Sequence, residues 1–271
     1  MSPASAEIPS PLPAGLLARL ATDHEIALFL DYDGTVSEIT PDIANAQPLP
    51  GAADLIAGLA ARPDRFRIVM ISGRQTDKLA RLLGVSGDIT FVGNHGLEMI
   101  EPDGRRHMVL NPELFMPALD SVRTWMRVNA PPEAGFVIED KGLSVALHYR
   151  FADPALAWTI GWRLREFVKL QVPPLVTGEG KMVIEVMPPH ANKGDAVRRL
   201  LGADPRRRLP VYFGDDATDE DGFYALRGDG VTVRVCEQPT PSWARYRVTS
   251  PRDVVAALAE MMAAVGQLDA G

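Results

Sequence analysis

The chain has 271 residues, enough for one large domain or two smaller ones, and 46% of them are hydrophobic, so a sizeable core is available. Its formal net charge is −7 and it has no basic cluster beyond Arg206-Arg207-Arg208, which argues against nucleic acid as the main partner. No apolar run reaches the roughly 20 residues of a membrane span, and the lone Cys236 excludes an intrachain disulfide.

Residues 1–15 contain four prolines and lack both the basic start and the apolar core of a signal peptide, so they are expected to form a flexible tail. With a single cysteine, a reducing, cytoplasmic setting is expected. The continuous apolar run Ile26–Leu30 reads as a strand buried on both faces. A helix around Ala52–Ala61, a strand Phe66–Ile71, a helix Thr76–Leu83 and a short strand Thr90–Val92 follow. This alternation predicts a doubly wound parallel sheet. After Gly104 the rhythm changes. A helix Pro112–Val128 precedes strands Gly135–Asp140 and Leu143–Arg150, and a helix Pro154–Leu170 precedes strands Leu175–Thr177 and Met182–Met187. That order describes an α+β unit inserted into the α/β core. The alternating pattern resumes with a helix from Lys193, a strand Pro210–Phe213, a helix from Asp219 and a strand Val231–Val235. A last amphipathic helix carries Val254, Leu258, Met261 and Val265 on one face, which reads as core. The expected division is therefore a tail at 1–15, a core at 16–106 and 190–271, and an inserted unit at 107–189.

Four strands run straight into polar residues: Leu30 into Asp31-Tyr32-Asp33-Gly34-Thr35, Ile71 into Ser72-Gly73-Arg74, Val92 into Gly93-Asn94-His95, and Phe213 into Gly214-Asp215-Asp216. In a parallel sheet these ends share one edge, where ligands of open α/β sheets bind. Asp31 and Asp33 repel each other there unless a cation lies near, so Asp31 can serve as a nucleophile while the pair helps to hold Mg²⁺. A turn would need only one such acid. Ser72 read alone is equally a helix cap ahead of Thr76. The stretch from Asp215 to Asp221 holds five acids, which also suits a solvated helix start, above all for Glu220 and Asp221. Lys193 opens a helix where a cation opposes the dipole, a conflict that a bound phosphate would relieve; a plain surface lysine is the alternative. Gly178-Glu179-Gly180-Lys181 lacks the spacing of a phosphate loop, and the five histidines show no metal-ligand spacing. His95 and His148 suit substrate contact and a structural role equally.

Together the four segments resemble the motif set of haloacid-dehalogenase-type phosphatases. The segments Gly93-Asn94-His95-Gly96-Leu97-Glu98, Glu139-Asp140-Lys141-Gly142-Leu143-Ser144-Val145-Ala146-Leu147-His148-Tyr149-Arg150 and Gly180-Lys181-Met182-Val183-Ile184-Glu185 narrow the resemblance to the trehalose-6-phosphate phosphatase family. It implies a core with a substrate-selecting cap. Asp31 would be the nucleophile, and Asp33 the acid and base. Ser72 and Lys193 would bind the phosphate. Mg²⁺ would be held by Asp31, Asp215 and the backbone carbonyl of Asp33, with Asp219 supporting that shell. Glu139, Arg150, Lys181 and Glu185 would bind the sugar, with Asn94 and Lys141 as further candidates.

The inserted unit can also be read physically. With a period of two, Glu139 and Lys141, His148 and Arg150, and Lys181 and Glu185 share strand faces, opposite Phe136, Ile138, Leu147, Tyr149, Ile184 and Val186. The apolar side is expected to be buried beneath the two helices. The charged side suits a hydroxyl-rich sugar, or simply solvent. The expected activity is hydrolysis of trehalose 6-phosphate, with the cap closing on the sugar. The rivals are a phosphatase for sucrose 6-phosphate or a mannosyl phosphoglycerate, a sugar phosphomutase, and a non-catalytic sugar-phosphate sensor. The expected partner is a small sugar phosphate, with neither nucleic acid nor membrane, and a monomer is the default state.

Overall fold

Strands covered on both faces read as near-continuous apolar runs, and the segments 26–30 and 89–93 are buried throughout their length. The structure, a computed structural model, describes residues 6–40, 45–180, 182–204 and 206–269. The chain divides into two compact units, Met1–His107 with Asn192–Gly271, and Met108–Ala191.

The first part of unit one contains β1 (Ser10–Pro11), α1 (Leu16–Asp23), β2 (Ile26–Leu30), α2 (Ala52–Ala60), β3 (Phe66–Ile71), α3 (Thr76–Leu83), β4 (Ile89–Gly93), β5 (Glu98–Ile100) and β6 (Arg106–Met108). The second unit holds α4 (Met116–Asn129), β7 (Val137–Asp140), β8 (Val145–His148), α5 (Pro154–Gln171), β9 (Val176–Gly180) and β10 (Val183–Met187). The chain then returns to unit one with α6 (Lys193–Gly202), β11 (Leu209–Gly214), α7 (Asp219–Ala225), β12 (Val231–Val235), β13 (Tyr246–Val248) and α8 (Pro251–Asp269).

The main sheet runs β1-β13-β12-β11-β2-β3-β4-β5-β6. It is parallel from β1 to β4, and β5 joins β4 antiparallel. Alternate residues of each strand feed opposite layers. Leu28, Leu30, Ile68 and Met70 pack with Leu17, Ile56, Leu258 and Met261, so the methionine-bearing face of α8 is core. Ala27, Phe29, Val69 and Tyr212 pack with Val197, Leu200 and Phe223 of α6 and α7 on the other side. The result is a three-layer α/β/α unit.

Part of the expected tail is ordered. Glu7 and Ser242 exchange backbone hydrogen bonds, β1 pairs in parallel with β13, and the Leu12 amide donates to the Arg247 carbonyl. Prolines are tolerated there because an edge strand leaves one row of its amides unused. Residues 1–5 lie outside the described residues. The helix expected at Pro112–Val128 is divided into a 3-10 turn, Pro112–Leu114, and α4. Pro117, in the first turn of α4, has no N–H to continue the ladder from the preceding turn.

In the second unit the sheet is antiparallel in the order β7-β8-β10-β9. Phe136, Val145, Leu147, Ile184 and Val186 pack with Leu119, Val122 and Met126 of α4 and Ile160, Leu164 and Val168 of α5. The helices thus cover one sheet face, as the period-two pattern requires.

Candidate active site

β2 is paired in parallel with β3 on one side and β11 on the other, and Leu30 is aligned with Met70 and Phe213. Asp31, Ser72 and Asp215 therefore leave the sheet at the same edge. The chain turns to opposite sides of β2 at this point, which makes it a topological switch.

A buried charge cluster fills that edge. The Lys193 ammonium, 2% exposed, donates to Asp31 Oδ1 at 2.6 Å and to Asp219 Oδ1 at 2.7 Å. The surface-lysine alternative is thereby excluded. Asn192 accepts from the Asp195 amide and so caps α6, placing Lys193 at its first position. An ammonium has three donors, so one remains to meet an anion. Burial alone would push Lys193 down, but the Asp219 and Asp31 carboxylates outweigh it and hold it well above the ordinary lysine value. The Asp31 carboxyl lies well above its ordinary value. Burial raises it, Lys193 pulls it down, and Asp219 and Asp215 push it up again.

Asp219 is fully buried and completely used. Its Oδ1 accepts from Lys193 and from the Tyr212 hydroxyl at 2.8 Å, and its Oδ2 accepts from the amides of Asp215 and Asp216 at 3.0 Å each. Asp219 therefore shapes the loop that carries Asp215. Two glycines make room for this arrangement. A Cβ on Gly214 would lie 2.3 Å from Asp219 Cγ, and one on Gly34, at φ +78°, would lie 2.2 Å from Asp215 Oδ2. Glu220 and Asp221 are structural: Glu220 accepts from Arg234, Ser242 and Trp243, and Asp221 from Asn192.

One carboxylate oxygen each of Asp31, Asp215 and Asp219 lie within 4.8 Å of one another. Hard oxygen donors of this kind suit Mg²⁺, and a cation near Asp31 and Asp215 would relieve the repulsion that raises Asp31. Because Asp219 already accepts four hydrogen bonds, Asp31 and Asp215 are the side chains suited to ligation. The Asp33 side chain is directed elsewhere. Its oxygens accept from Arg74 Nε at 2.6 Å and Nη2 at 2.5 Å. Ser72 is not a helix cap; Gln75 occupies that position, and the Ser72 hydroxyl accepts from the Arg74 amide at 3.2 Å. Asn94 and His95 adopt φ of 47° and 54°, and Glu98 holds that loop by accepting from the Asn94 side chain and the Thr76 amide.

On the polar sheet face of the second unit, Glu139 and Glu185 both align with Ala146. Glu185 accepts from Lys141 Nζ at 2.9 Å and from the Ser144 hydroxyl, and Glu139 meets His148 at 3.2 Å. Arg150 is exposed just beyond β8, and Lys181 lies outside the described residues. The sequence reading assigned no role to Arg74, Tyr212 or Ser144. Arg74 stands in the segment Ser72-Gly73-Arg74 and Ser144 in the segment from Glu139 to Arg150, and a tyrosine within a buried apolar strand is itself a signal, since its hydroxyl needs a partner.

Residues 29–252 match the trehalose-phosphatase family model. An uncharacterised glycosyl hydrolase of Mycobacterium tuberculosis is 34% identical over 258 residues, which is 90% of this chain but only 19% of that protein. A probable trehalose-phosphate phosphatase C of Arabidopsis thaliana is 30% identical over 251 residues, covering 88% of this chain and 77% of the plant protein. In fold, the chain is similar to the C-terminal domain of the C. albicans trehalose-6-phosphate phosphatase, with a TM-score of 0.80, 24% identity, and 96% and 99% of the two chains covered.

Proposed function

The chain belongs to the trehalose-phosphatase family, and on that premise we propose that it hydrolyses trehalose 6-phosphate to trehalose and phosphate. The observation that carries this reading is the buried Lys193 ammonium between Asp31 and Asp219 at the carboxyl edge of the sheet. An Asp31 oxygen attacks phosphorus, the bond from phosphorus to the sugar oxygen breaks, and Asp33 gives that oxygen its proton. Asp33 then takes a proton from the water that attacks the aspartyl-phosphate, releasing phosphate and restoring Asp31. Lys193 fixes the nucleophile and offers its third N–H, with the Ser72 hydroxyl, to the phosphate oxygens. Mg²⁺, held by Asp31, Asp215 and the Asp33 carbonyl, would offset the repulsion between a carboxylate and a phosphate dianion. In the second unit, Glu139, Arg150, Lys181 and Glu185 select the sugar, with Lys141 of that unit and Asn94 of the first unit as further candidates. A cytoplasmic setting belongs to the same reading, supported by the free Cys236.

The test is phosphate release from trehalose 6-phosphate, sucrose 6-phosphate, a mannosyl phosphoglycerate and a small aryl phosphate, with Mg²⁺ and with chelator. Trehalose 6-phosphate should be the preferred substrate, with turnover lost in chelator and in Asp31→Asn. Glu185→Gln should lower kcat/KM for the disaccharide phosphate while sparing the aryl phosphate. Turnover by the wild type in chelator, or turnover by Asp31→Asn with Mg²⁺ present, would overturn the mechanism; preference for another sugar phosphate would overturn the substrate.

A further inference from the structure

We infer that Arg74 is a positioning residue that presents Asp33 to the leaving oxygen. The inference rests on the phosphatase reading above and adds a residue to it. The Arg74 side chain is 3% exposed and that of Asp33 39%, so a buried fork backs a carboxylate that substrate can reach. The fork takes both carboxylate oxygens through two different nitrogens, which fixes the carboxylate plane as well as its place. Arg74 is itself firmly held. Its amide donates to the Ser72 hydroxyl at 3.2 Å, and its carbonyl accepts from the Asn94 amide at 2.8 Å. Its guanidinium lies 5.6 Å from the centroid of the Tyr32 ring. The fork is thus tied to the hydroxyl assigned to the phosphate and to the loop of Asn94.

A guanidinium stays protonated in proteins, so Arg74 is no acid in its own right. It can keep one Asp33 oxygen while the other carries the proton toward the sugar oxygen. Without it, a carboxylate as exposed as Asp33 would populate several rotamers, and few would point at the leaving group. The effect of Arg74 is therefore confined to substrates whose leaving oxygen needs a proton.

Single-turnover release of the first product tests this, with Mg²⁺ present, on trehalose 6-phosphate and on p-nitrophenyl phosphate, whose phenolate departs unprotonated. In Arg74→Gln the sugar should be released about 100-fold more slowly, the scale of one general acid, and p-nitrophenolate less than about 5-fold more slowly. Arg74→Lys, which keeps the charge but not the fork, should fall between. In an Asp33→Asn background Arg74→Lys should cause no further loss. Equal slowing of both substrates, or multiplicative losses in the double variant, would overturn the inference. The wild-type chain separates the two readings: if it releases nothing from trehalose 6-phosphate, the proposed function fails first.

Discussion

Lys193→Met removes one charge while keeping most of the apolar stem, and its cost can be worked from the surroundings. The side chains of Asp31 and Asp219 are 6% and 0% exposed, so two carboxylates lose their cation where water cannot replace it. Removing one partner of a buried ion pair costs about 3–5 kcal/mol. Here one ammonium serves two carboxylates, so about 5 kcal/mol is expected at about pH 7.5 in chelator, which prevents a metal ion from substituting for the lost charge. The pH dependence follows from Asp31, whose carboxyl is raised by burial even against the pull of Lys193. An acid raised in the folded state destabilises it above that raised value and costs nothing below its unfolded value near about 4. Removing the downward pull enlarges the penalty at high pH alone. The deficit against wild type should therefore shrink as pH falls from about 7.5 toward the unfolded value near about 4. Urea midpoints measure it, and hydrogen exchange of β2 and β11 assigns it to the first unit. A loss under about 1 kcal/mol, or a deficit constant with pH, would refute the reasoning.

Gly34→Ala should reduce phosphate release by more than about 100-fold and lower stability by about 1–2 kcal/mol, because it adds left-handed strain and displaces the Asp215 carboxylate; a near-wild-type initial rate would contradict this. Burial pushes the Asp204 carboxyl up, but the Arg206 amide and the Arg208 and Arg67 guanidiniums outweigh it and hold it below the usual range. A lowered acid stabilises the fold above about pH 4 and loses that contribution as pH falls through its folded value. Asp204→Asn should thus cost about 1–3 kcal/mol near neutrality and less at about pH 2.5; urea midpoints that stay equally far apart at both values would count against it.

The doubly wound order was legible because the central strands are dominated by apolar residues, β2 without a break, and β3, α3 and β12 carry the predicted bounds. The shared edge was legible too, since parallel strands bring their polar ends together whatever separates them in sequence. Other elements left no readable pattern. β1 is two residues among prolines, β13 is only three residues long, and the part of β9 beyond the expected end at Thr177 runs through Gly178 and Gly180 because its partner β10 holds it in register. Residue types alone identified the carboxylates, the lysine and the hydroxyl of the edge. Only the folded chain decided their partners: Asp33 turned to Arg74, Asp219 saturated by four donors, and Tyr212 brought to Asp219. The physical reason is range. Periodicity and strand ends are set by neighbours a few positions away, whereas a hydrogen bond such as that from Lys193 to Asp31, separated by 162 positions, exists only once the sheet has closed the gap.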